Sequence, residues 1–322
     1  QGTKDPLIGH VDMFQTSPKR MGDCMTKRRS SKKTNHRHAP KPPRKRRRLW
    51  LAGSAVLACL AVACLAVLRP WQPRVALPES LTATSVVILD GEGNLLAERE
   101  ADTPRSPSSL TKMLSIYLVL DEMDAGRLSL SDTFTVPPEV AETRGSKYGL
   151  RTGQTVTVEQ LLAGTILSSG CDCVQALVRL TAGDEAAFVA QMNQKAQELG
   201  LKNSHFVNAT GLDAADHYMT ARDLATLACR LVADHPEYID YSSQAEMEIG
   251  GLTFRNLNRL AGADPRVLGL KTGTTLIGGN NLVTYAEDGE NACFIVLLDS
   301  ASETRRFAET EALLDLALGG AA

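Results

Sequence analysis

The 322-residue sequence is poor in aromatic side chains, which make up 5% of it with only two tryptophans. Its seven cysteines are too scattered for a disulfide scaffold: Cys24 lies near the start, Cys59 and Cys64 in an apolar run, and Cys171, Cys173, Cys229 and Cys293 in the rest. There is no C-x-x-C pair and no internal repeat. The six histidines, three of them His10, His36 and His38, show no metal-ligand spacing. Positive charge is outnumbered over most of the chain. Residues 51–322 carry 20 Lys and Arg against 34 Asp and Glu, whereas residues 1–50 carry 15 against 3. Phosphate contacts need clustered Lys and Arg on a folded surface, so this acidic body excludes nucleic acid as its partner. A hydrophobic content of 43% over this length excludes a wholly disordered chain.

The positive charge that is present forms a tail, residues 1–50, expected to be disordered and to end in the basic cluster Arg44–Arg48. An uncharged run, Leu51 to Leu68, follows and is closed by Arg69 and Pro70. Eighteen apolar residues just span a bilayer as a helix, and positive charge stays cytoplasmic. The run therefore reads as a transmembrane helix or signal-anchor, with the tail inside and the rest exported across the cytoplasmic membrane. Ala61-Val62-Ala63 also fits a signal-peptide cleavage site, which would make the body secreted instead. Residues 69–83, with Pro70, Pro73 and Pro78, read as a linker, and 84–322 as one folded domain.

Within that domain, Thr84–Leu89 and Asn94–Arg99 read as strands joined by Asp90-Gly91-Glu92-Gly93, a hairpin sequence. A helix is predicted from near Ser109 to Gly126. Others are predicted over 157–166, 173–181, 185–199 and 217–233, the last with a Thr220 cap. Strands are expected over 266–272, 280–287 and 291–299, then a final helix over 303–318. Asn280-Asn281 reads as a hairpin turn, and Phe188 and Met192 as core. Strands at both ends around a helical middle imply an α/β (α+β) fold, its antiparallel sheet formed by both chain ends beside a helical subdomain.

Three short motifs carry chemistry. Ser109-Leu110-Thr111-Lys112 is an S-x-x-K, which on a helix stacks serine and lysine one turn apart. A serine hydroxyl needs a base to become a nucleophile, and a desolvated neutral lysine can serve. Ser168-Ser169-Gly170-Cys171 lies 60 residues on, counted from Ser109 to Ser169. Lys271-Thr272-Gly273 lies on a predicted strand, Lys271 being 102 residues after Ser169. Lysine supplies charge for a carboxylate, threonine a hydroxyl, and glycine room for a close backbone. Alone, an S-x-x-K also describes an ordinary surface helix start.

In this order and context the chain resembles the serine penicillin-recognising enzymes. Within them it resembles the low-molecular-weight penicillin-binding D-alanyl-D-alanine carboxypeptidases, whose fold is β-lactamase/transpeptidase-like. Pro107-Ser108-Ser109-Leu110-Thr111-Lys112 is similar to the family's P-A-S-L-T-K, and 81–99 to its opening hairpin. Gly145-Ser146-Lys147-Tyr148-Gly149-Leu150 is similar to the loop before its second motif. Asn203–Leu212 and His217–Leu224 match its N-x-x-G-L and H-Y-S-T-A-x-D-L stretches. The resemblance implies acyl transfer on peptidoglycan stem peptides ending in D-Ala-D-Ala, with β-lactams as covalent inhibitors and no cofactor. It implies that Ser109 attacks, Lys112 acts as base and Ser169 relays a proton. Lys271, Thr272 and Gly273 would bind the substrate, and backbone N–H groups of Ser109 and Thr274 the oxyanion.

The chain departs from the family at Cys171, where asparagine is expected in S-x-N. A thiol is a weak donor and acceptor, so this substrate-binding position is expected to cost about 1.5–3 kcal/mol, one or two decades of rate. The alternative function is therefore a membrane-tethered peptidoglycan-binding pseudoenzyme silenced at 171; a D-Ala endopeptidase would share every named residue. A class A β-lactamase would need a deacylating glutamate about 35–40 residues after the second motif, by family resemblance. No glutamate lies between Glu198 and Glu237. Cys171 and Cys173 read as two buried thiols rather than a strained C-x-C disulfide or a metal site. By the same resemblance His205 and His217 are structural, His217 ordering a loop near the third motif.

Overall fold

The computed structural model describes residues 75–319. The basic tail 1–50 and the apolar run 51–68 lie outside the described residues, among which no helix is long and apolar enough to cross a membrane. In chain order the described residues form β1 (Ser85–Asp90), β2 (Leu95–Arg99), a 3₁₀ turn (Ser108–Thr111), α1 (Lys112–Asp124), β3 (Thr133–Thr135) and α2 (Pro138–Ala141). There follow β4 (Thr155–Thr157), α3 (Val158–Ile166), α4 (Cys171–Ala182), α5 (Glu185–Glu198), α6 (Ala221–Asp234) and α7 (Tyr238–Ser242). The chain closes with β5 (Glu246–Ile249), β6 (Leu252–Arg255), β7 (Val267–Thr275), β8 (Gly279–Asp288), β9 (Asn291–Ser300) and α8 (Glu303–Leu318).

The apolar runs at the two ends pair with each other, as expected. One five-stranded antiparallel sheet has the order β2-β1-β9-β8-β7, with Val87 opposite Val296 and Ile88 opposite Ile295. Successive strand residues face opposite sides. Val87, Phe294, Val296 and Leu298 enter the core under the helical layer, while Val86, Ile88, Ile295 and Leu297 enter a second core under α8. Because both faces are covered, these strands are apolar on both sides and read as continuous runs rather than alternating ones. At the centre of the helical layer runs α1, its first nine residues buried on every side. Phe188 and Met192 of α5 lie in that core as expected. A capping box starts α3, the Gln160 N–H donating to Thr157 Oγ1 and the Thr157 N–H to Gln160 Oε1.

Four features differ from the sequence expectation. Ser109 lies in the 3₁₀ turn, and α1 begins only at Lys112, because Pro107 and the left-handed Ser108 (φ +53°) tighten the chain ahead of the helix. Asn280 and Asn281 are not a turn. The turn is Leu276–Gly278, and both asparagines belong to β8, opposite Thr274 and Gly273. The described part of the expected linker packs on the domain: Leu81 and Ala83 are buried in the second core and Thr82 hydrogen-bonds Glu309. Finally, the hairpins β3–β4 and β5–β6 and the short helices α2 and α7 went unseen, since three to five residues carry too little periodicity to read.

Candidate active site

The 3₁₀ geometry makes residues i and i+3 eclipse, which stacks Lys112 directly against Ser109. Lys112 Nζ lies 2.8 Å from Ser109 Oγ and donates to Thr210 O at 2.7 Å. Lys112 is completely buried, whereas Ser109 is half-buried and open to a reactant. Ser108, in its left-handed conformation, anchors the turn: its Oγ meets Thr275 Oγ1 at 2.9 Å and accepts from Asn281 Nδ2 at 3.1 Å.

The second motif enters from the start of α4. Ser169 is another non-glycine residue at positive φ (+56°), and its carbonyl accepts from Ser146 Oγ at 2.6 Å. Its own Oγ is buried and has no hydrogen-bond partner among the described residues. An unpaired buried hydroxyl costs about 1–3 kcal/mol, so a substrate group that bonds it removes a cost. Cys171 is buried, with its N–H donating to Ser146 O at 2.7 Å and its Sγ 3.6 Å from Ser146 Oγ. Cys171 and Cys173 are free thiols, as expected, and burial pushes the Cys173 thiol well above its ordinary range. Between them Asp172 accepts from the N–H groups of Tyr148, Gly149 and Leu150, which holds the 145–150 loop against the motif.

The third motif lies on β7, an edge strand of the sheet, whose unpaired backbone groups can take up an extended peptide. Lys271 and Thr272 are buried. A Cβ on Gly273 would lie 3.1 Å from Pro107 O and Ser108 Cβ, so the glycine is what lets the strand approach the Ser108–Thr111 turn. Thr274 is exposed, and its Oγ1 accepts from Arg306 Nη1 at 2.7 Å.

Burial pushes the Lys112 ammonium down, opposed by the adjacent Cys171 and then Cys173 and Asp172. Lys271 is pushed well below the ordinary lysine range, first by burial, then by the Lys112 charge and by Arg306. Two neighbouring buried lysines titrate as a pair and resist holding two protons. The structure thus gathers Ser109, Lys112, Cys171, Lys271, Thr272, Gly273 and Thr274 around one site, but forms no hydrogen bond from Ser169 Oγ to any of them.

Several positioning residues escaped the sequence reading. Buried Arg306 of α8 bonds Gly273 O, Thr274 Oγ1 and Asn281 O, bracing the third motif from below. Asp213 accepts from Ser106 Oγ, Thr275 Oγ1 and the Ile277 N–H. Asp213 follows Asn208-x-x-Gly211-Leu212 directly, and that stretch was the one available clue. Arg306 offered none, because arginine on a terminal amphipathic helix reads as surface.

His217 is structural, as expected, but supports the first motif rather than the third. Its Nδ1 accepts from the Val207 N–H at 3.1 Å, so Nε2 carries the hydrogen and donates to Thr111 Oγ1 at 2.9 Å. Burial, then His205, hold its pKa down to about 4 against the opposing Asp213. The folded state therefore takes up this proton later than the unfolded state. The stability that neutral His217 contributes is present above pH 6.5 and is lost as pH falls toward 4. Chemical denaturation should show a loss of roughly 2–3 kcal/mol between pH 7 and pH 4.5 that is absent in His217→Gln. Equal losses in both proteins would refute the assignment.

A profile of the D-alanyl-D-alanine carboxypeptidase family matches residues 72–302. The D-alanyl-D-alanine carboxypeptidase DacC of Escherichia coli K12 is 36% identical over 271 residues, 82% of this chain. The chain spans 66% of the length of that relative and 60–62% of other curated relatives. Penicillin-binding protein 5 of Haemophilus influenzae is similar in structure, with 30% identity and a TM-score of 0.71 over 74% of this chain and 72% of its own. Penicillin-binding protein D2 of Listeria monocytogenes, in an ampicillin-bound form, has 28% identity and a TM-score of 0.68 over 76% of this chain and 99% of its own.

Proposed function

Since this chain belongs to the D-alanyl-D-alanine carboxypeptidase family, we propose that it removes the terminal D-alanine from peptidoglycan stem peptides through an ester on Ser109. The observation that carries this reading is the 2.8 Å contact between Ser109 Oγ and the fully buried amine of Lys112. In its neutral form that amine accepts the hydroxyl proton as Oγ attacks the penultimate carbonyl. The oxyanion forms between the N–H groups of Ser109 and Thr274. The C–N bond then breaks, and Ser169, whose hydroxyl has no partner among the described residues, passes the proton to the leaving amine. Water attacks the ester, again with Lys112 as base, and restores Ser109.

Substrate itself selects which lysine is neutral. A C-terminal carboxylate docked on Lys271 and Thr272 draws the shared proton to Lys271, and the repulsion between the two lysines leaves Lys112 free as base. A β-lactam presents the same carboxylate and carbonyl and acylates the same oxygen; the likeness to an ampicillin-bound structure supports this. We place the enzyme on the outer face of the bacterial cytoplasmic membrane, tethered through residues 51–68, on the support of that uncharged run and the basic cluster before it.

The test is D-alanine release from a pentapeptide stem ending in D-Ala-D-Ala, measured for the parent and Cys171→Asn. An asparagine beside Lys112 offers a strong donor and acceptor in place of sulfur, so kcat/KM should rise about 10–100-fold. Release by neither protein would refute the carboxypeptidase reading. Release by Cys171→Asn alone would favour the pseudoenzyme.

A further inference from the structure

Away from this site, the ends of three helices bring a histidine and two carboxylates together. Asp124 ends α1, His235 caps the C-terminus of α6, and Glu237 precedes α7. His235 is 2% exposed, and its Nε2 lies 3.1 Å from Asp121 Oδ1. A carboxylate only accepts, so Nε2 carries the hydrogen, and in the neutral ring Nδ1 is left as a lone pair. That nitrogen is buried with no hydrogen-bond partner among the described residues. Facing it are Asp124 Oδ2 at 3.3 Å and Glu237 Oε1 at 3.6 Å, all three atoms lying within 4.8 Å of one another. Three electron-pair donors with no hydrogen among them repel unless a cation stands between.

We propose that Asp124, His235 and Glu237 bind a divalent transition-metal ion of the Zn²⁺ class. A tetrahedral ion about 2.0–2.1 Å from imidazole nitrogen and carboxylate oxygen sets its ligand atoms roughly 3.3–3.4 Å apart, close to the 3.3 and 3.6 Å that separate His235 Nδ1 from the two carboxylates. Asp121 supplies the outer support: it fixes the His235 tautomer and is itself held by Lys195 at 3.0 Å. The Tyr117 ring packs edge-on to the imidazole, centroids 4.6 Å apart, and sets its orientation. An imidazole donor favours Zn²⁺ over Mg²⁺ or Ca²⁺. Asp124 is exposed and Glu237 half-buried, which leaves the ion an open side for water. The site lies at the far end of α1 from Lys112, about 18 Å along a 13-residue helix. Its ion therefore ties helix ends together and takes no part at Ser109.

The test uses the full chain, stripped of metal by a chelator and then given ZnCl2, CoCl2 or MgCl2. Zn²⁺ should raise Tm by several degrees and Mg²⁺ should not. Co²⁺ should give the visible bands of a four-coordinate nitrogen–oxygen site without thiolate charge transfer. Both responses should vanish in Asp124→Asn/Glu237→Gln, near-isosteric changes at one exposed and one half-buried position, while acylation at Ser109 persists. The double variant corrects for metal taken by the tail histidines or by cysteines. An equal Zn²⁺ shift in parent and variant, or none in the parent, would overturn the proposal.

Discussion

Ser109→Ala is expected to form no adduct with benzylpenicillin and to release D-alanine at least about 10⁴-fold more slowly than the parent. The substitution removes one oxygen from a half-buried position in a 3₁₀ turn, so the fold keeps its shape and the loss is chemical. What disappears is the atom to which Lys112 is aligned at 2.8 Å. The remaining machinery, Lys271 with Thr272 and the backbone donors, can still bind and polarise a carbonyl, but a covalent route through Ser109 is closed. Intact mass after incubation with benzylpenicillin reads this directly. A stoichiometric adduct surviving in Ser109→Ala would move the nucleophile elsewhere, and the assignment would fail.

The residues gathered at the site from the first and third motifs were legible in the sequence because each motif is a short string whose geometry is local. S-x-x-K needs only one turn, and K-T-G only an edge strand. The sheet was legible too, since its strands at both chain ends are long apolar runs that need a partner. What holds the site together was not. Arg306 reaches Gly273 O from 33 residues away, and Asp213 meets Thr275 from 62 away. No spacing rule joins residues that distant; only the assembled sheet brings α8 against β8 and β9, from which Arg306 reaches β7. Likewise Asp124 and His235 share no motif, because their meeting depends on where α1 and α6 end.

A second large effect is expected where two loops cross. Gly211 has φ +80°, and a Cβ there would lie 1.8 Å from Ser108 O and 2.8 Å from Thr111 Oγ1. Real carbon–oxygen contacts begin near 3 Å, so Gly211→Ala must move one backbone away from the other by more than an ångström. The 208–212 loop cannot yield easily. Asn208 Oδ1 accepts from the N–H groups of Thr210 and Gly211, and its Nδ2 donates to Leu212 O. The same loop supplies Thr210 O, the carbonyl that holds Lys112 Nζ. Displacement therefore reaches the base itself, and a 1 Å misplacement of reacting groups costs about 10²-fold. Acylation by benzylpenicillin should slow roughly 10²–10³-fold, with stability lower by about 2–4 kcal/mol. Gly126→Ala separates strain from collision: Gly126 has φ +69° but nothing within 4 Å of its built Cβ. It should cost only about 1 kcal/mol and leave acylation unchanged. If Gly211→Ala behaves like Gly126→Ala, the 208–212 loop is not what positions Lys112, and the base must be held by the turn alone.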